Sequence, residues 1–111
     1  MEKKSVINVR GFDCPPDSEE QFNKWYNEIH IPMLLESGEI NAVTRFKRVG
    51  NEEKYPKYLV IYQFGNLQSF ERYEASPQLA AAIKDSKDRW PEGSFESRWR
   101  VQYEAVESWK K

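Results

Sequence analysis

The only histidine in the chain, His30, lies in the stretch WYNEIHIPMLLESGEI, residues 25–40. An imidazole has an ordinary pKa of about 6.5, so it can take up and release a proton near neutral pH. If this stretch is helical, Tyr26 lies on the same side as His30, one turn earlier. The pair therefore predicts a proton-transfer site in which Tyr26 orients His30 or a ligand hydroxyl. The alternative is structural: His30 satisfies carbonyls at a helix end and Tyr26 packs in the core.

Two further pairs of side chains could bind a ligand. Asn8 and Arg10 fall on one face of a predicted strand, where the guanidinium could bind a carbonyl or carboxylate group. An ion pair across a subunit interface would also explain them. Tyr58 and Tyr62 share a face of another strand. They could line a ligand pocket together with these residues, or simply pack with their hydroxyls at its rim. Cys14 lies between acids in DCPPD, where negative charge raises a thiol pKa, so we expect no nucleophile there.

The elements that would position His30 begin with a strand. SVINVRGF (5–12) alternates between two faces, as strands do. Ser18 followed by Gln21 has the pattern of a capping box and predicts the start of a helix. One apolar helix face is formed by Phe22, Trp25, Tyr26 and Ile29. Because Pro32 disfavours helical geometry at Ile31, we expect the regular helix to end or kink there, with a last turn up to Gly38.

The second half of the chain predicts two strands, two helical segments and a last strand. INAVTRFKRV (40–49) and KYLVIYQF (57–64) predict two strands of a hairpin. Asn66 is expected to cap the helix LQSFERYEA, and Ser76-Pro77 to start the helix QLAAAIKDSKDRW. FESRWRVQYEAVESW (95–109) predicts a fourth strand. The order β-α-β-β-α-β predicts an α+β, ferredoxin-like fold, a four-stranded antiparallel sheet with helices on one face.

The alternation also predicts which strand residues face the helices. We expect the helix side of the sheet to carry Ile7, Val9, Leu59, Ile61, Trp99 and Val101. We expect the other side to carry Val6, Asn8, Arg10, Tyr58, Val60, Tyr62 and Phe64, with Arg98 as a further candidate. This second side is too apolar to remain in water. A second copy related by two-fold symmetry would cover it, so we expect a homodimer; the alternative is a monomer covered by its C-terminal segment.

Composition excludes several classes of protein. A chain of 111 residues has the length of a single domain, residues 1–111. Its 17 basic and 18 acidic residues give a net charge of −1, so no attraction to nucleic acid or anionic membranes is expected. No apolar run or leader predicts a membrane segment or signal peptide. One Cys and one His exclude the usual nitrogen- and sulfur-ligated zinc site, and a lone thiol fits a reducing, cytoplasmic compartment.

The motifs around His30 resemble a known family. FNKWYNEIHIPMLLESGEINAVTRFKRV and KYLVIYQFGNLQSFERYEASPQLAAA are similar to the dimeric α/β-barrel superfamily, in particular its EthD-like branch. The likeness rests on an aromatic first helix ending in His30-x-Pro32, then Gly38 and the basic-aromatic pair Arg45-Phe46. The resemblance implies a homodimer whose sheets close into a barrel, with a pocket at the helix ends and His30 at its mouth.

The resemblance allows several functions. The superfamily includes isomerases, cyclases, monooxygenases, haem-degrading enzymes and proteins without known activity, and fold alone does not choose among them. Haem-degrading relatives use a histidine in the second helical region, which has none here. We therefore expect a cofactor-independent isomerase, cyclase or lyase that acts on a small oxygenated compound, with His30 as proton shuttle and no bound metal. A non-catalytic metabolite-binding or accessory module and a cofactor-free monooxygenase are the alternatives, so the sequence leaves open whether the protein is an enzyme.

Overall fold

The computed structural model describes residues 4–111, and residues 1–3 of the predicted single domain lie outside the described residues. The strands are β1 (Val6–Asp13), β2 (Ile40–Lys47), β3 (Tyr58–Phe64) and β4 (Glu96–Glu104). The helices are α1 (Glu19–Trp25), α2 (Ile31–Leu35), α3 (Leu67–Glu74) and α4 (Pro77–Arg89). The strands form one antiparallel sheet in the order β2-β3-β1-β4. The predicted α+β, ferredoxin-like fold is confirmed.

The helical region around His30 is continuous but irregular. A π-turn, Tyr26–His30, joins α1 to α2, and the Ile31 N–H donates to the Tyr26 carbonyl five residues earlier. Pro32 explains this, because it has no N–H to donate and its ring would clash with the carbonyl of Glu28 in a regular helix. The α-helix is therefore interrupted before Ile31, as expected near a proline, but the helical backbone continues to Leu35.

Side-chain capping follows the prediction at two of three helix starts. The Ser69 N–H donates to Asn66 Oδ1 over 2.8 Å, and the Leu79 N–H donates to Ser76 Oγ over 3.1 Å. The expected capping box at Ser18 is wrong: its side chain makes no cap hydrogen bond, and its hydroxyl donates to the Pro15 carbonyl instead. A short 3₁₀ turn, Pro16–Ser18, precedes α1 and provides a local backbone hydrogen bond.

The predicted assignment of the two sheet faces is wrong, because the faces are exchanged. The helices cover the face that carries Val6, Asn8, Arg10, Phe12, Tyr58, Val60, Tyr62 and Phe64, most of them buried. The rings on this face pack with the aromatic side chains of α1, as in the contact between Phe12 and Phe22. Large rings fill the space between a sheet and its helices better than Val9 or Ile61 can. This face also holds a polar cavity, which Asn8 and Arg10 line.

The opposite face of the sheet is open and apolar. Val9 of β1 pairs with Ile61 of β3 and Val101 of β4, so three aliphatic side chains form its centre. Larger exposed side chains at the edges are Phe46, Trp99 and Tyr103. Beyond β4, the Ala105 N–H still donates to the Ser5 carbonyl, after which Val106 and Trp109 are exposed. No helix within residues 4–111 is long and apolar enough to cross a membrane.

Candidate functional site

Two adjoining cavities lie on the helix side of the sheet, with His30, Arg10 and Ile83 in the lining of both. The first has a volume of about 260 Å³ and is mainly aromatic. Its other lining residues include Phe12, Trp25, Tyr26, Lys87 and Phe95. The second has a volume of about 470 Å³ and is more polar. Its other lining residues are Asn8, Tyr73, Glu74, Leu79 and Arg100.

His30 lies where the two cavities meet, at the end of the π-turn. Its ring centroid is 4.8 Å from that of Trp25 and 4.8 Å from that of Tyr26. The side chain is only 7% exposed, and within residues 4–111 its Nδ1 has no hydrogen-bond partner. Burial, and then the positive charge of Arg10, lower the pKa of His30 to about 4. The imidazole is therefore neutral at pH 7 and offers a free nitrogen to a ligand.

Arg10 supplies the positive charge beside His30. Its Nη2 donates to Ser97 Oγ over 3.3 Å, and its guanidinium carbon lies 5.0 Å from the Phe12 ring centroid. The buried Nε has no hydrogen-bond partner, and no carboxylate within residues 4–111 forms an ion pair with Arg10. Asn8, next on the same face, accepts a hydrogen bond from Gln102 over 2.9 Å. The guanidinium can therefore offer at least one N–H to a ligand oxygen.

The hydroxyl of Tyr26 is hydrogen-bonded to another tyrosine in the core. It lies 2.6 Å from the hydroxyl of Tyr62, and both residues are fully buried. Burial raises the pKa of both phenols, so both are protonated near neutral pH. The guanidinium of Arg45 stacks 4.6 Å above the Tyr26 ring and donates to Asn23 and Asn27. Tyr26 thus contributes its ring to the cavity while its hydroxyl is committed to Tyr62.

Of the six predicted site residues, the structure brings Asn8, Arg10, Tyr26 and His30 to the cavity linings. Tyr62 lies directly beneath Tyr26. Tyr58 is separate: its hydroxyl donates to Glu19 and accepts from Asn23, and it lies outside both linings.

The lining residues that the sequence analysis missed include Tyr73, Glu74 and Arg100. Arg100 of β4 pairs in register with Arg10 of β1, so the strand pairing places two guanidinium groups side by side. Glu74 accepts a hydrogen bond from Arg100 and forms an ion pair with it. Burial raises the pKa of Tyr73 to about 12. The alternation of charged residues in β4 was visible in the sequence, but its register against β1 was not.

A separate depression of about 550 Å³ lies near Cys14, with carboxylates of Asp13, Glu92 and Glu96 in its lining. Burial, and then the charge of Glu19, raise the pKa of the Cys14 thiol. A thiol with a raised pKa is a poor nucleophile at pH 7. Within residues 4–111 no group of three or more His, Cys, Asp or Glu side chains is placed to hold a metal ion. We therefore place the candidate site at His30 and Arg10.

A family model described as "Domain of unknown function (DUF4286)" matches residues 6–98, which is most of the chain. The chain belongs to the DUF4286 family. No curated protein sequence matches this DUF4286 protein.

Solved structures with the same fold include an EthD family protein from Bacillus halodurans, at 12% identity and a TM-score of 0.66, with 93% of this chain and 99% of that chain covered. A DABB family protein with a ferredoxin-like fold from Mesorhizobium loti has 12% identity and a TM-score of 0.68, with coverages of 96% and 99%. A dimeric protein of unknown function from Bacteroides fragilis has 19% identity and a TM-score of 0.61, with coverages of 92% and 95%. The predicted resemblance is confirmed for the fold.

Other proteins of similar structure carry names of different activities. They include a putative monooxygenase from Shewanella loihica, a haem degrader from Mycobacterium tuberculosis and a hydroxynitrile lyase from Passiflora edulis. Their TM-scores are 0.61, 0.69 and 0.71, and their identities 14%, 12% and 12%. At these identities the likeness shows the fold of the DUF4286 protein and no single activity.

The low pKa of His30 predicts how the stability of the DUF4286 protein depends on pH. The unfolded chain takes up a proton at His30 below about pH 6.5, whereas the folded protein does so only below about pH 4. The free energy of unfolding therefore falls as the pH drops through this window, by roughly 3 kcal/mol from this residue. We expect His30→Phe to remove that loss, as measured by urea unfolding at several pH values.

Acidic groups whose pKa is lowered by partners other than His30, such as Glu19, also make both the wild type and His30→Phe less stable at low pH. The difference between wild type and His30→Phe therefore isolates the histidine. Parallel stability curves from pH 7 to pH 4 would mean that His30 does not titrate in this way.

The paired hydroxyls of Tyr26 and Tyr62 predict a strongly non-additive pair of substitutions. Tyr62→Phe leaves the buried hydroxyl of Tyr26 without its partner and is expected to cost about 1–3 kcal/mol of stability, as is Tyr26→Phe. The double variant removes both hydroxyls, so we expect it to be no less stable than either single variant. Urea unfolding of the four proteins measures this coupling. Additive losses would show that the two hydroxyls do not stabilise each other.

Proposed function

We propose that this DUF4286 protein is a cofactor-independent enzyme that moves a proton on a small oxygenated organic molecule, in an isomerisation, cyclisation or elimination. One observation carries the proposal: a neutral, buried imidazole with a free Nδ1 lies beside a guanidinium that has no carboxylate partner. A free base and a fixed positive charge are the two components needed to form and stabilise an enolate. The adjoining cavities leave room for the substrate around both.

The two residues divide the chemistry between them. The imidazole of His30 accepts a proton from a carbon next to the substrate carbonyl, and the C–H electron pair moves to the carbonyl oxygen. Arg10 donates a hydrogen bond to that oxygen and stabilises its negative charge. In an isomerisation the proton then returns to a different carbon. In an elimination the electron pair expels a leaving group, which takes up the proton from His30. In a cyclisation the enolate carbon attacks a second carbonyl of the same molecule, whose oxygen takes up the proton. Tyr26 holds the imidazole through ring contact, since its hydroxyl is bonded to Tyr62.

Proton NMR in D₂O tests the proposal directly. A base that removes a proton next to a carbonyl also catalyses its exchange with solvent deuterium, even where the probe cannot complete a reaction. We expect the protein to accelerate the loss of the α-hydrogen signal in at least one member of a panel of small ketones, keto acids and lactones. A panel with bound members and no accelerated exchange would refute the proton-transfer activity.

The main alternative is a non-catalytic binding or accessory module that uses the same cavities. The low pKa of His30 favours it, because an imidazole with a pKa of about 4 is a weak base until a ligand changes its surroundings. Binding without exchange is its expected signature. The other alternative, a cofactor-free monooxygenase, predicts oxygen uptake with electron-rich phenols or quinols, which an oxygen electrode would detect.

The protein is proposed to work as a homodimer in the cytoplasm. The open sheet face has the aliphatic side chains of Val9, Ile61 and Val101 at its centre, and an apolar surface of this kind is usually covered by another surface. A two-fold axis lets one copy cover the same face of the other. A structurally similar protein from Bacteroides fragilis is described as dimeric, which supports a dimer. The lone thiol of Cys14 fits a reducing compartment.

A further inference from the structure

We infer that the ligand of the two cavities is an aromatic carboxylate, with its carboxylate beside Arg10 and its ring in the smaller cavity. The inference names the substrate class of the site in the proposed function and rests on that site. It does not require turnover, because it concerns only what the cavities bind. Three features carry it: the charge of the lining, the free N–H of Arg10 and the separation of polar from aromatic walls.

The charge around the cavities favours an anion. The linings contain three cationic side chains, Arg10, Lys87 and Arg100, and one carboxylate, Glu74. Glu74 is already paired with Arg100, so its charge is compensated within the lining. Asp85, whose negative charge interacts with His30, already accepts hydrogen bonds from Arg89 and Trp25. A ligand carboxylate would therefore enter a field of net positive charge.

Arg10 is the residue that would hold the carboxylate. Its buried Nε has no hydrogen-bond partner within residues 4–111, and its Nη2 makes one long bond, 3.3 Å, to Ser97. A carboxylate can accept from Nε and Nη2 together, in the two-pronged geometry that suits a guanidinium. Buried N–H groups in folded proteins are nearly always paired, so an unpaired one in a cavity wall points to a ligand acceptor.

The rest of the ligand is specified by the smaller cavity. Four rings line its 260 Å³, those of Phe12, Trp25, Tyr26 and Phe95. Flat walls of this kind suit an aromatic ring, which gains edge and face contacts beyond simple burial. His30 belongs to both linings, so a carbonyl between the ring and the carboxylate of the ligand would lie beside its free Nδ1. An aromatic keto acid matches all three features.

Isothermal titration calorimetry with three matched probes tests the inference. The first, 3-benzoylpropionate, contains a ring, a ketone and a carboxylate. Its primary amide lacks the charge, and 4-oxopentanoate replaces the ring with a methyl group. We expect 3-benzoylpropionate to bind at least about tenfold more tightly than either of the others, since one charged hydrogen bond or one buried ring is worth that much. Equal affinity for the acid and its amide, or no binding of the acid, would overturn the inference.

Variants identify the residue responsible. Arg10→Gln is expected to abolish the preference for the acid over the amide, and Arg10→Lys to retain only part of it, because a lysine keeps the charge but not the forked geometry. Arg48→Gln is the matched control, since Arg48 lies outside both linings and donates to the Gly50 and Tyr55 carbonyls. Circular dichroism checks that each variant is folded. An unchanged preference in a folded Arg10→Gln or Arg10→Lys protein would overturn the inference.

The proposed proton transfer and this inference about binding can fail independently. If 3-benzoylpropionate binds as expected but its α-hydrogens do not exchange faster with solvent, the proposed proton transfer fails and this inference stands. If neutral ketones exchange rapidly and the acid does not bind, the proposed function stands and this inference fails.

Discussion

His30→Ala is expected to slow protein-catalysed α-hydrogen exchange by about 10²- to 10⁴-fold, the usual contribution of a positioned general base. The expectation follows from the arrangement at the site, where the Nδ1 of His30 is the unpaired basic nitrogen in both linings. The guanidinium of Arg10 has hydrogen-bond donors and no acceptor, so it cannot take up the proton, and the hydroxyl of Tyr26 is hydrogen-bonded to Tyr62. NMR exchange rates in D₂O, measured with saturating probe, would give the size of the loss.

Two controls separate chemistry from structure. His30→Gln keeps a hydrogen-bonding side chain of similar length but cannot act as a base near neutral pH, so it should be as slow as His30→Ala. Tyr26→Phe keeps the ring that contacts His30 and should retain most of the exchange rate. A folded His30→Gln protein with the wild-type rate would show that another group removes the proton, and the proposed mechanism would be wrong.

Ile61→Asp is expected to raise the dissociation constant of the homodimer by at least about 100-fold. Ile61 lies at the centre of the open sheet face and pairs with Val9 of the neighbouring strand. In a dimer formed through this face, the new carboxylate would be buried without a partner, which costs about 3–5 kcal/mol. In the separated chain position 61 is only half-buried, so the carboxylate would reach water. Sedimentation velocity over a range of protein concentrations would measure the shift from dimer to monomer.

The matched control is Val49→Asp, which makes the same type of change in the loop after β2. Val49 is 96% exposed, so its replacement should leave the dimer intact. Circular dichroism would confirm that both variants keep the fold. A folded Ile61→Asp protein that remains dimeric would show that the open sheet face is not the interface, and a wild-type monomer would refute the dimer itself.

Local signals in the sequence predicted the elements well. The caps at Asn66 and Ser76 and the alternation in the strands gave the correct order of elements and nearly the correct starts. The expected end of β4 was wrong, because the strand predicted to reach residue 109 ends at Glu104. Pro32 was a less complete guide, because a proline can be accommodated inside a helix if the preceding turn widens. Whether that happens depends on packing, as in the burial of Leu34 against the core, which no local rule contains.

The two sheet faces could not be assigned from alternation alone. Strand β1 has apolar residues on both faces, and so does β3, so the period of two identifies the faces without saying which one the helices cover. Asn8 and Arg10 were predicted to lie on the face away from the helices. The structure shows the reverse, because the helices leave a polar cavity over β1 and β4.

Part of the site was nevertheless predictable. The helical spacing brought Tyr26 and His30 together, and ring contact at 4.8 Å confirms it. Arg10 was found because it shares a strand face with Asn8, where its guanidinium could bind a carbonyl or carboxylate group. Arg100 and Tyr73 were missed because their places depend on long-range pairing and helix docking, as in the register between Arg10 and Arg100.

The π-turn at Tyr26–His30 has a consequence for aligning the sequences of homologous chains. It contains one residue more than a regular turn would need, and the wider turn takes up that residue locally, so deleting a single residue there would restore an α-helix and leave the residues after it in nearly the same orientation. Leu34 would then stay in the core, but the spacing between Tyr26 and His30 would change. Related chains that keep this site should therefore keep the spacing from Trp25 to Pro32 without insertion or deletion. An alignment that opens a gap between these two positions would match the histidine to the wrong residue.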